Sequence, residues 1–366
     1  MIKQRIEAVR QKLMQQKDPS AFVIVSAQNR RYMTNIATSN GYAIITPENK
    51  YFFTDSRYIE YAKKSLENIY EAELLPIKEA KEHYGRLLKK ENIKTVFYEE
   101  NYISLKTKKI FDELFSDFNL CESGGMIEKM RQIKDDFEIA SIQKAQDITD
   151  RAFAHILKTI SSDPDEITEK DISAEIEYFM KKNGADKPAF DTIAVSGKKS
   201  SYPHGEPENI KISKGFLTMD FGAVCDGYCS DMTRTVCIGK PTSQMLEVYE
   251  IVKSAQTAAL NKIKAGVYGG EVDKEAREII KKAGYGDNFG HGLGHSVGLE
   301  IHESPGFHKS GEDEKDKTEI AENMVITVEP GIYIENRFGV RIEDLVVVKQ
   351  NGCLNLTKSP KELTVI

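Results

Sequence analysis

Apolar residues recur at helical spacing from the first turn of the chain. Ile2, Ile6, Val9 and Leu13 in MIKQRIEAVRQKL predict an amphipathic helix. A strand at Phe22–Val25 follows, then a hairpin of Tyr42–Thr46 and Tyr51–Thr54 turning at Pro47-Glu48-Asn49. Helical patterns near residues 56–67, 78–91 and 104–115 alternate with short strands at Leu74–Ile77 and Thr95–Tyr98. Residues 1–123 therefore read as a small α/β domain with a mixed sheet. Gly124-Gly125 breaks the pattern, and the polar stretch 124–134 reads as a linker.

Residues 135–366 open with a long amphipathic helix that places Ile148, Ala152, Ile156 and Ile160 in one row. A second helix starts after Thr168, a natural N-cap, and stops at Asn183-Gly184. A strand at Thr192–Val195 precedes a first acidic hairpin. Helices over residues 242–264 and 271–283 then lead to a histidine-rich segment and a second acidic hairpin. Helices flanking antiparallel hairpins indicate an α+β domain, and two acidic hairpins hint at a duplicated half.

In LTMDFGAVCDGYCSDMTRTV the two-residue turn is Asp226-Gly227, a strong hairpin signal. That register sets Gly222 opposite Asp231, with Asp220 one step away on the same face. In VITVEPGIYIENRFGVRIEDLVVV an odd-length loop centred on Asn336 sets Glu329 opposite Glu343. The acids sit inside apolar runs: Asp220 lies between Met219 and Phe221, Glu329 follows Val328, and Glu343 precedes Leu345 to Val348. Converging buried carboxylates repel, and cations are the simplest remedy. With one imidazole from FGHGLGHSVGLEIHE, which carries His291, His295 and His302, the pattern reads as a dinuclear metal site. Oxygen ligands plus one histidine suit Mn, Co, Zn or Fe.

The 366 residues suggest two domains, because single cores rarely grow past about 250–300 residues. A net charge of −6 without a basic block argues against a nucleic-acid partner. No apolar run approaches the ~20 residues of a membrane span, and the N-terminus lacks a signal-peptide core, so a cytoplasmic protein is expected. Five scattered cysteines make no disulfide framework, and Cys225-x3-Cys229 lacks the second pair a zinc site needs. IAVSGKKSS has Thr192 where a phosphate loop requires glycine, HESPG lacks the second histidine of H-E-x-x-H, and no G-x-S-x-G elbow occurs. Five of the seven histidines lie between residues 204 and 308; His83, His155 and His308 have no context that suggests chemistry.

Asp220, Asp231, His295, Glu329 and Glu343, in the contexts MDFGAVCDGYCSDMTRT, GHGLGHSVGLEIHE, VEPGIY and GVRIED, resemble the metallopeptidases of the pita-bread, or creatinase/aminopeptidase, fold. YFFTDSRYIEYA, with Asp55, Arg57 and Tyr58, resembles the creatinase-type N domain, which favours the proline-specific branch. The resemblance implies a catalytic domain over residues 135–366 in which Asp220 chelates one metal and Asp231 and Glu343 bridge two. His295 and Glu329 complete the shell of the second metal. It further implies a hydroxide nucleophile, Glu329 as proton shuttle, and His204 (in SYPHGEP) and His302 as substrate-binding and oxyanion-steadying groups. His291, Tyr333 and Arg341 match the surroundings of the proline pocket. Two divalent cations, Mn before Co or Zn, and a homodimer are expected with it.

The substrates expected are peptides with proline at the second position. Some strict dipeptidases resembling this chain carry an arginine four residues after the equivalent of His302, where this chain has Gly306. That departure favours an Xaa-Pro aminopeptidase over an Xaa-Pro dipeptidase, or prolidase. An inactive binding protein or a metal-free creatinase-like hydrolase fits less well, because such members lose ligands that are all present here.

Overall fold

Ser20–Ile24 is buried along its whole length because it lies inside a six-stranded sheet. The computed structural model describes residues 1–76, 78–307 and 318–366; Ile77 and His308 lie outside them. Two compact units, Met1–Arg131 and Gln132–Ile366, divide the chain.

In the first unit the sheet runs Glu71–Leu74, Lys50–Thr54, Tyr42–Ile45, Ser20–Ile24, Thr95–Tyr98, Asn119–Glu122. Tyr42–Ile45 pairs antiparallel with both Lys50–Thr54, as a hairpin, and Ser20–Ile24, while the other three pairings are parallel, so the sheet is mixed. The first helix, Ile2–Met14, buries Ile6, Val9 and Leu13 as its spacing requires. Three local expectations shift. The strand expected at Leu74–Ile77 is Glu71–Leu74, because pairing with Tyr51–Thr54 ends before Pro76, which has no N–H to donate. Ala27–Thr34 is a helix that its polar composition concealed; the Ser26 hydroxyl caps it by accepting from the Asn29 N–H. Met126–Arg131, inside the stretch read as linker, is also helical and buries Met126 and Ile127.

The second unit carries two cores, each roofed by a pair of helices. Helices Asp136–Ser162 and Glu169–Lys182, the latter opened by a Thr168 capping box, pack on a sheet of Ile193–Ser196, Gly215–Phe221 and Met232–Ile238. Helices Ser243–Lys262 and Gly269–Lys282 cover the other half. There, strands Val325–Val328 and Asp344–Lys349 extend the hairpin of Gly331–Ile334 with Phe338–Arg341.

Strand periodicity decides what each hairpin offers. Leu217, Met219 and Phe221 enter the helix-covered core of the first half. The opposite face of that hairpin holds Asp220 and, across from it, Thr233. Ile326, Val328, Val346 and Val348 enter the core of the second half, which leaves Thr327, Glu329 and Glu343 on the other face. Both expected registers hold. Cys225 pairs with Tyr228 across Asp226-Gly227, and Phe221 with Met232, so Gly222 falls opposite Asp231. Gly331 pairs with Arg341 and Val328 with Asp344, so Glu329 falls opposite Glu343. Gly222 is required by closeness: a Cβ there would meet Ser230 O at 1.9 Å.

Candidate metal centre

The polar faces of the two hairpins meet across a cavity of about 860 Å³ whose wall includes Asp220, Asp231, His295, Glu329 and Glu343. Ligand atoms of Asp231, His295 and Glu343 all lie within 4.8 Å of one another. His295 Nε2 stands 3.5 Å from both Asp231 Oδ2 and Glu329 Oε1. Its Nδ1 is 3.1 Å from Ser296 O, a carbonyl that can only accept, so Nδ1 carries the proton and Nε2 keeps its lone pair. Gly294 lets this strand reach its neighbour, since a Cβ there would meet Thr327 O at 2.1 Å.

Burial, and then the acids' mutual repulsion, hold Asp231 and Glu343 well above the usual carboxylate range. Burial also pushes Glu329 up to about 8, against the pull of Arg341. Desolvation lowers His295 to about 4, so its ring is neutral near pH 7. Asp220 Oδ1 is buried with no hydrogen-bond partner among the described residues. Four acids with raised or unpartnered oxygens around one imidazole lone pair are a donor set for hard to borderline divalent cations. The residues present fit such ions.

Further residues fix these donors. The Thr233 hydroxyl donates to Glu343 Oε2 at 2.7 Å and accepts from Arg341 Nε at 3.0 Å. The Thr327 hydroxyl donates to Glu329 Oε1 at 3.3 Å and accepts from the His295 N–H at 3.0 Å. Neither threonine was singled out from the sequence, yet each stands two residues from an acid, hence on its face of the strand: Thr233 after Asp231 and Thr327 before Glu329.

His204, His291, His302 and Arg341 also line the cavity. The His302 ring sits 4.4 Å from the His295 ring, and burial lowers its pKa. Arg341 is committed on several sides: Nη2 donates to Asp220 Oδ2 at 2.6 Å, and Nη1 to Tyr333 Oη at 2.8 Å and Pro203 O at 3.2 Å. Tyr333 is not on the cavity wall. Its hydroxyl lies 3.0 Å from His291 Nε2, and because His291 Nδ1 donates to Gly292 O, the tyrosine donates to Nε2. Tyr333 and Arg341 therefore brace the wall rather than face a substrate alone. His83 and His155 are not part of this cluster: their Nε2 atoms lie 3.1 Å from Glu73 Oε2 and 2.6 Å from Glu175 Oε1.

The chain matches Metallopeptidase family M24 over residues 140–350 and the Creatinase/Prolidase N-terminal domain over residues 5–133. It is 40% identical over 352 residues to the uncharacterized peptidase YqhT of Bacillus subtilis, covering 94% of this chain and 95% of that protein. The solved Xaa-Pro dipeptidase from Bacillus anthracis superposes with a TM-score of 0.93 at 37% identity, covering all of both chains (100% and 100%). The X-Pro aminopeptidase from Thermotoga maritima gives 0.87 at 37% identity, over 95% of this chain and 98% of that one.

Proposed function

This chain belongs to metallopeptidase family M24, a creatinase-type N-terminal domain followed by a pita-bread catalytic domain, and from that premise we propose that it is an Xaa-Pro aminopeptidase holding two divalent metal ions. Asp220, Asp231, His295, Glu329 and Glu343 would hold the ions, with manganese first and cobalt or zinc as alternatives. When bound, the ions supply Lewis acidity and neutralise the acid cluster. Glu329, on the cavity wall and oriented by Thr327, takes a proton from water and returns one to the leaving imide nitrogen. His302, neutral near pH 7 because burial lowers its pKa, and His204 donate hydrogen bonds to the carbonyl oxygen as it gains charge. His291, braced by Tyr333, shapes the pocket for the pyrrolidine ring. A homodimer belongs to the same reading.

One observation favours aminopeptidase over dipeptidase. Among the described residues of the cavity wall, Arg341 is the one permanent cation, and its guanidinium already serves Asp220, Tyr333, Thr233 and Pro203. Gly306, also on the wall, brings no charge. A dipeptide's terminal carboxylate thus meets an acidic wall, whereas a longer peptide presents an uncharged amide there. The test is hydrolysis of Xaa-Pro, Xaa-Pro-Yaa and Xaa-Ala-Yaa with manganese added and removed. Xaa-Pro-Yaa should be cleaved at least as well as Xaa-Pro, and Xaa-Ala-Yaa poorly. Hydrolysis of Xaa-Pro with tripeptides untouched makes the protein a prolidase, the activity its Bacillus anthracis relative is named for.

A further inference from the structure

Lys134 Nζ lies 3.2 Å from Glu303 Oε2, and the two side chains are 0% and 6% exposed. Removing two ions from water costs several kcal/mol each, so a pair this deep is a poor device for stability alone. Its surroundings suggest geometry instead. Lys134 stands just ahead of helix Asp136–Ser162, and its N–H is fixed to Asn323 O at 3.0 Å. Glu303 directly follows His302 and opens strand Glu303–Phe307.

Pairing on this edge is His295 with Gly306 but Ser296 with Glu303, so Ser304 and Pro305 bulge from the strand, and residues 297–302 form the connecting loop. The loop closes on the Glu303 carboxylate. The Glu300 N–H donates to Oε1 at 3.2 Å, and the Gly298 N–H donates to Glu300 O at 3.0 Å. Gly298 passes so close that a Cβ there would meet the carboxylate oxygens at 2.6 Å. Gly298 O in turn accepts from the Cys229 N–H at 2.8 Å, two residues from Asp231. One carboxylate thus ties the far end of the first acidic hairpin to the loop that presents His302 beside His295.

We propose that Glu303, locked by Lys134, is a positioning residue that sets the His302 ring against the acid cluster. This rests on the reading of His302 as a working group of the cavity. Glu303 also borders the cavity, but its carboxylate oxygens are taken up by Lys134 Nζ and the Glu300 N–H, so it acts through the loop.

Two measurements on the full chain separate this inference from the proposed function. Histidine side-chain 15N–1H spectra of the metal-free protein, with His302→Gln to identify the signal, read ring position without any assay. Lys134→Met and Glu303→Gln should shift or broaden the His302 signal, leave those of His83 and His155 in place, and Lys134→Arg should restore it. In peptide hydrolysis the first two variants should lower kcat about tenfold with KM within about twofold, because the loss falls on the transition state. Should Lys134→Met fail to fold, Glu303→Gln carries the same reading, since it keeps an acceptor for Glu300 and removes only the charge. A His302 signal unmoved in Glu303→Gln, or Lys134→Arg as damaged as Lys134→Met, overturns the inference. A shifted signal in a chain that cleaves no Xaa-Pro peptide overturns the function and leaves the positioning intact.

Discussion

Arg341 Nη2 stands 2.6 Å from Asp220 Oδ2, joining the second acidic hairpin to the first through a pair whose side chains are 3% and 13% exposed. The same guanidinium bonds Thr233 and Tyr333, so one cation organises both polar faces. Removing one partner of a buried pair leaves the other charge uncompensated, at a typical loss of about 3–5 kcal/mol. Arg341→Met should lower the urea-unfolding free energy of the metal-free protein by about that amount. Arg341→Lys should lose less stability, yet it cannot bond Asp220, Tyr333 and Thr233 together. Unchanged unfolding of Arg341→Met means the pair contributes nothing to the assembly.

The raised carboxylates and lowered imidazoles give the metal-free protein a pH dependence of definite sign. A carboxyl whose folded pKa is raised binds more protons folded than unfolded, so stability falls as pH rises from the unfolded value towards the folded one. Glu329 does this up to about 8, and Asp231 and Glu343 act in the same direction. His291 and His295, lowered to about 4, act oppositely: their stability is lost as pH falls below the unfolded value near 6.5. Above that value the imidazole contribution fades as the unfolded rings lose their protons, and the three raised carboxyls outweigh it. The urea midpoint of metal-free protein should therefore drop from pH 6.5 to 8, and added manganese should reverse the drop. A flat or rising midpoint in that window contradicts the buried-acid arrangement.

Much of this site was legible because strand geometry is periodic. A two-residue Asp226-Gly227 turn and a loop centred on Asn336 fix which residues oppose, and Asp226, Gly227 and Asn336 do adopt positive φ. Alternation then assigns faces, which is why both acid registers could be counted from the chain. The missed pieces depend on contacts distant in sequence. Thr233 and Thr327 matter because Arg341 and His295 reach them, and that requires the hairpins to be docked. Tyr333 could be matched to the pocket region by its place in the motif, but its position behind His291 depends on how the hairpin packs. In the N-terminal unit, the helix Ala27–Thr34 carries Asn, Arg and Gln where a hydrophobic row would announce it, and tertiary burial forms it instead.

Asp231→Asn separates repulsion from coordination. Neutralising one of four acids relieves like-charge strain, so the metal-free variant should be at least as stable as the parent. It should nonetheless lose at least one equivalent of bound metal by elemental analysis, and nearly all turnover. Full metal content in an inactive variant would move the ligand role away from Asp231.

Glu329→Gln tests the proton shuttle on the same wall. Loss of general acid–base catalysis typically lowers kcat on the order of 10²–10⁴, while substrate affinity changes much less. The comparison is made between variants with matched metal content, because Glu329 also stands 3.5 Å from His295 Nε2. Near-normal kcat in the metal-loaded variant assigns the proton to another group.

Gly306→Arg addresses which peptide is taken. Gly306 lies on strand Glu303–Phe307, pairs with His295 and lines the cavity, so a side chain there enters a wall where Arg341 is already saturated. A new guanidinium offers a dipeptide's terminal carboxylate a charge-assisted partner and crowds the space a third residue would use. The ratio of kcat/KM for Xaa-Pro over Xaa-Pro-Yaa should rise about tenfold or more, equivalent to about 1.4 kcal/mol of differential transition-state binding. Measuring both substrates on one metal-loaded preparation cancels differences in active fraction. A ratio that stays put, with the variant folded and active, means that the carboxylate end of the substrate lies elsewhere and that Gly306 does not decide between the two activities.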